Sequence, residues 1–108
     1  MRKELGSIKK AHIGFGGYQD AMLGATFELG GNSWGVGDFW GFWDTEWTPN
    51  CAWSEKDRIE YLGNTFLRIG KLLKEAKCDS FDDLVGTPVE VEFDGNLLKS
   101  WRVLGEVL

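Results

Sequence analysis

One stretch of helical periodicity interrupts five stretches of strand periodicity, and this order bounds the folds open to the chain. Between positions 54 and 77 the apolar residues Ile59, Leu62, Phe66, Ile69, Leu73 and Ala76 recur at steps of 3-4-3-4-3, which is one apolar stripe along a helix. Ser54-Glu55-Lys56-Asp57 supplies a capping-box start, a hydroxyl with an acid three residues on. Gly63 and Gly70 lie beside the stripe, where each costs about 1 kcal/mol relative to Ala. They predict either a close packing contact or a break near Gly63-Asn64.

Everywhere else the period is two. Over 8–15, Ala11, Ile13 and Phe15 share one face, with Lys10 and His12 on the other. Over 21–29, Ala21, Leu23, Ala25, Phe27 and Leu29 share a face, and Gly30-Gly31-Asn32 marks a hairpin turn. Over 34–43 one parity holds Trp34, Val36, Asp38, Trp40 and Phe42. The other holds Gly35, Gly37, Phe39, Gly41 and Trp43. Three glycines on one face leave a shallow floor for another backbone or a flat ligand. After the helix, Ser80-Phe81-Asp82-Asp83 predicts a short helical turn. Val89, Val91 and Phe93 then alternate with Glu90 and Glu92, and Asp94-Gly95-Asn96 is a second hairpin signal. Trp101, Val103 and Val107 belong to the last predicted strand. The expected architecture is a single domain over 1–108, α+β and mainly β. It is a five-stranded antiparallel OB-like barrel or curved sheet in the order β-β-β-α-β-β, with an open sheet crossed by a helix as the alternative.

Charge narrows the partners. The formal net charge is −5, which argues against a generic duplex-binding protein. The charge is also segregated. Residues 11–50 contain neither Lys nor Arg but do contain Asp20, Glu28, Asp38, Asp44 and Glu46, while Arg68, Lys71, Lys74 and Lys77 form a basic stripe on the helix. No apolar run is long enough to span a bilayer, and Met1-Arg2-Lys3-Glu4-Leu5 has no signal-peptide character. The expectation is a soluble, cytoplasmic protein without a membrane.

Catalytic chemistry finds little material. His12 is the one histidine, and it sits on the polar parity of a strand. No Ser/His/Asp or Cys/His set assembles around it, and no glycine-rich segment has phosphate-loop spacing. Glu90 and Glu92 share a strand face and are a weak metal candidate; such a pair is more often the solvated face of an amphipathic strand. Cys51 and Cys78 lie at opposite ends of the predicted helix, about 35 Å apart if it is unbroken, and are expected as free thiols. No enzyme activity, metal or cofactor is expected.

The six Trp carry the functional reading. Trp34, Trp40 and Trp101 can be core. Alternatively, the second and third strands form a stacking platform for unpaired bases, with Trp34, Trp40 and Trp43 as rings and Tyr18 in the adjoining loop. Lys9, Lys10, Lys99 and Arg102 are the nearest phosphate contacts. Three segments, 9–20 (Lys-Lys-Ala-His-Ile-Gly-Phe-Gly-Gly-Tyr-Gln-Asp), 34–39 (Trp-Gly-Val-Gly-Asp-Phe) and 84–96, resemble small phage and prophage proteins. In outline the chain is similar to phage single-stranded-DNA-binding proteins of OB type. The resemblance implies an OB fold and single-stranded nucleic acid as partner; basic residues are missing from the strands that should bind it. A second reading is an acidic phage protein that blocks a basic host protein, motivated by the net charge and the Lys-free centre. Exposed apolar surface is compatible with a homodimer.

Overall fold

A computed structural model describes residues 1–43, 48–50 and 53–108. It contains β1 (Arg2–Gly16), β2 (Met22–Gly31), β3 (Trp34–Phe42), α1 (Glu55–Glu75), β4 (Pro88–Asp94) and β5 (Leu97–Val103), with short 3-10 turns at Tyr18–Asp20, Phe81–Leu84 and Gly105–Val107. The order β-β-β-α-β-β is therefore observed. The five strands form one antiparallel sheet in the order β3-β2-β1-β4-β5. No ladder joins β3 to β5, so of the expected forms the sheet is the open one.

β1 is longer than its alternation predicted because it serves two partners. Its first half pairs with β4, from Arg2 opposite Phe93 to Ser7 opposite Pro88. Its second half pairs with β2, from Ser7 opposite Gly30 to Gly16 opposite Met22. The register slips between Ile8 and Lys10, so Lys9 is an extra, bulged residue. Lys9 and Lys10 are both exposed beside the buried Ile8. The first hairpin turns at Asn32-Ser33, slightly later than predicted, with Gly31 opposite Trp34. The second turns at Gly95-Asn96, where Gly95 has φ 62°, a conformation that favours glycine.

In β2, β3 and β4 the bulky parity faces inward, whereas in β1 Leu5, Ile13 and Phe15 are exposed. Ile8, Ala25, Phe27, Leu29, Trp40, Val89, Val91, Phe93 and Val103 form the core with Ile69 and Leu72 of α1, its C-cap residue Ala76 and Leu84. α1 is unbroken, and Ser54 Oγ accepts from the Asp57 N–H at 3.1 Å, as the capping box predicted. At the second predicted cap, Ser80 Oγ instead donates to the Asp83 carboxylate. The helix buries only part of the expected stripe: Ile69 and Ala76 are buried and Leu73 packs against the core. Thr65, Ile69, Leu72 and Ala76 face the core, while Ile59 and Phe66 are exposed. The apolar pattern on α1 is wider than one face, and packing under a single narrow sheet uses only part of it. Val107 also departs from expectation: β5 ends at Val103, and Val107 is exposed in the last 3-10 turn.

The two sheet edges meet through side chains. Asp38 points inward from β3. Its Oδ2 accepts from Trp40 Nε1 at 3.0 Å and from Trp101 Nε1 of β5 at 2.7 Å, and its Oδ1 accepts from the Phe39 N–H at 2.9 Å. The two indoles stack, with ring centroids 5.7 Å apart and 20° between planes. Phe27 packs against both, at 4.6 and 5.2 Å. A half-buried indole N–H left without an acceptor costs about 1–3 kcal/mol. Asp38→Ala is expected to lower unfolding free energy by about 2–3 kcal/mol in a urea titration, and Asp38→Asn, which keeps one acceptor oxygen, by less.

Candidate functional site: the glycine-floored outer face

Because the bulky parity turns inward, the glycine parity turns outward. Gly35, Gly37, Phe39 and Gly41 of β3 lie on the outer face beside Gly24, Thr26, Glu28 and Gly30 of β2 and Lys10, His12, Gly14 and Gly16 of β1. Part of this floor is filled by the chain itself. The Phe39 ring lies where a Cβ on Gly41 would stand and within 3.2–3.3 Å of those on Gly16 and Gly17. The rest is open: at Gly35 and Gly37 a Cβ would meet only a backbone oxygen, at 3.7 and 3.6 Å. Three shallow depressions of about 470, 330 and 620 Å³ run along this face, and Glu28 lines all of them.

One end of the face carries exposed rings. Tyr18 is 69% exposed and meets Trp43, 43% exposed, edge to face at 6.2 Å. Phe15 is exposed nearby and shares a depression with Lys10 and His12. Lys9 lies over Gly30, its stem 3.2–3.4 Å from where a Cβ would be, and borders the depression that also touches Trp34. Lys10 stands directly opposite Glu28 in the ladder. This region thus holds Lys9, Lys10 and His12 against Glu28, with Asp20 at the rim. Lys9 and Lys10 are matched here by Glu28 and Asp20, so the area is locally neutral on an acidic chain.

The structure separates the sequence-predicted residues. Lys9, Lys10, Tyr18 and Trp43 come together around this face. Trp40 does not: it is 7% exposed, and Arg68 lies 3.8 Å over its ring with Trp101 stacked beside it. No base can stack on it, because burial of Trp40 supplies core contact area. Trp34 is half-buried and packs edge to face on Phe93 at 5.6 Å. Lys99 and Arg102 lie on β5, away from the glycine floor. Lys99 sits 3.9 Å from Glu92, and Arg102 bonds Glu106 at 3.1 Å and Glu90 at 3.3 Å. Bonding to Glu106 first, and then to Glu90, raises the Arg102 pKa above its usual value. These pairs also occupy Glu90 and Glu92 as cation partners. Cys78 is a free thiol; Cys51 and Trp47 lie outside the described residues.

Phe39 and Glu28 are part of this face but were not picked out from the sequence. The signal for Phe39 is its parity, as a large side chain set between the outward glycines Gly37 and Gly41. Among the described residues no helix is long and apolar enough to cross a membrane. No protein-family model, curated protein or solved structure matches the chain.

The floor has a steric signature. A Cβ at Gly24 would collide with the Trp40 carbonyl and the Gly41 backbone, so Gly24→Ala is expected to destabilise by about 1–3 kcal/mol. Gly37→Leu projects into open space and is expected to stay within about 1 kcal/mol of the parent. Thermal unfolding of the two variants side by side checks this.

Proposed function

We propose that the protein is a non-enzymatic module that binds single-stranded nucleic acid on the outer face of β1, β2 and β3. The observation that carries this reading is the meeting, on one surface, of a flat glycine floor, exposed rings and two lysines in a chain of net charge −5. Unpaired bases need flat surface and ring faces, and their backbone needs local positive charge. Tyr18, Trp43 and Phe39 offer the rings. Lys9 and Lys10, brought to one side by the bulge, offer the charge. Open space over Gly35 and Gly37 lets a strand approach the sheet backbone. The segments that resemble phage single-stranded-DNA-binding proteins include Lys9, Lys10, Tyr18 and the Trp34–Phe39 stretch, which supports the same reading.

Oligothymidine titrated at low salt is expected to quench tryptophan emission, with affinity falling steeply as salt rises. Replacing Lys9 and Lys10 together by Ala is expected to reduce the slope of log affinity against log salt by about 1.4, roughly 0.7 per phosphate contact on a single strand. Glu28→Gln removes the carboxylate from the middle of the face and is expected to raise affinity several-fold. Gly37→Leu, which the fold accommodates, is expected to obstruct the floor and weaken binding. Lys99→Ala is expected to have little effect. Absence of any binding at low salt ends this reading and favours a protein partner.

A further inference from the structure

α1 carries two apolar faces, and the domain core uses one. Beside the buried stripe run Ile59, Gly63, Phe66 and Gly70, at steps of 4-3-4, with Leu73 at the border packed against the core. That is the spacing of a seam between paired helices. Ile59 is 55% exposed, Phe66 62% and the adjacent Leu67 73%. At Gly63 and Gly70, among the described residues, no side chain and no backbone outside the helix lies within 4 Å of where a Cβ would stand. The large residues project as knobs, and the glycines between them leave recesses of matching spacing.

The charges along the rim of this face identify the occupant. Glu60 and Lys74 lie seven residues to either side of Leu67, two full turns each way, and so share its side of the helix. A two-fold axis through Leu67 places Glu60 of each copy opposite Lys74 of the other and sets the Leu67 side chains against each other. Parallel pairing would instead face Glu60 with Glu60 and Lys74 with Lys74. The face is therefore self-complementary in one orientation, as a two-fold interface requires. Lys71, nearby, is directed along its own helix toward Glu75 at 3.9 Å.

We propose that the protein dimerises by antiparallel pairing of α1 with the same helix of a second copy, with Phe66 of each copy packing between Phe66 and the recess over Gly70 of the other. The glycines let the axes approach more closely than the usual separation of about 8–10 Å.

Sedimentation velocity across a concentration series tests this on the whole chain, with circular dichroism to confirm that each variant is folded. A monomer–dimer equilibrium is expected, and Phe66→Asp is expected to abolish it. Glu60→Lys and Lys74→Glu, each alone, are expected to weaken the dimer about tenfold, since each turns attraction into repulsion at both symmetry-related pairs. The double variant E60K/K74E is expected to recover parental association, and a mixture of the two single variants to form a heterodimer. The Lys9 and Lys10 replacement leaves this face untouched and is expected to leave association unchanged, which separates this test from that of nucleic-acid binding. A chain that stays monomeric throughout, a dimer indifferent to Phe66→Asp, or a double variant no better than either single one overturns the proposal. A dimer lost with Phe66→Asp but indifferent to both charge changes overturns the antiparallel register.

Discussion

The carboxylate of Asp38 holds the two free edges of the sheet together. It receives the indole N–H groups of Trp40 on its own strand and Trp101 on the far edge strand. An open five-stranded sheet has no ladder to bring its edges together, and curling it costs conformational freedom. Here the closing contacts are made by side chains. Two charge-assisted hydrogen bonds, a stacked indole pair and the Phe27 ring beneath them replace the missing strand pairing. The cation of Arg68 covers the open face of Trp40, a contact worth about 0.5–2 kcal/mol depending on its exposure.

This arrangement consumes the aromatic surface of β3 from the inside. An inward Asp among bulky residues would be a liability without donors; two tryptophans supply them where β3 meets β5. The glycines of the same strand are then left on the outside, where a backbone with few side chains is reachable by a partner. One alternating segment thus produces a closed, ring-filled interior and a flat exterior. The proposed nucleic-acid face and the Asp38 link are two sides of the same strand.

Much of this was readable in the residues. The parity of 34–42 assigned Trp40 and Gly37 to opposite faces before any coordinates. The Ser54 cap, the continuous periodicity over α1 and the Asp94-Gly95-Asn96 turn located their elements. Less was readable at the helix. Its apolar residues span more than one face, so no count could tell that Ile69 and Leu72 would be covered while Ile59 and Phe66 stayed bare. Among the candidate binding residues, Lys9 and Lys10 were legible as charged neighbours, but the bulge that sets both beside the exposed floor was not. The pairing of Lys99 and Arg102 with Glu92, Glu90 and Glu106 depends on cross-strand register and on how the chain turns after Val103.

By itself the sequence determined the number, order and kind of elements and the two faces of each strand, because period-two and period-3.6 patterns are local properties of a backbone with alternating or rotating side chains. The tertiary structure alone decided that the sheet stays open at β3 and β5 and that Asp38 bridges the gap. It also decided which of the two apolar faces of α1 is buried, and that Trp40 lies in the core while Trp43 remains accessible. These outcomes depend on which surfaces far apart in the chain meet, and the free energy of burying one face over another is set only when the partner surface is in place.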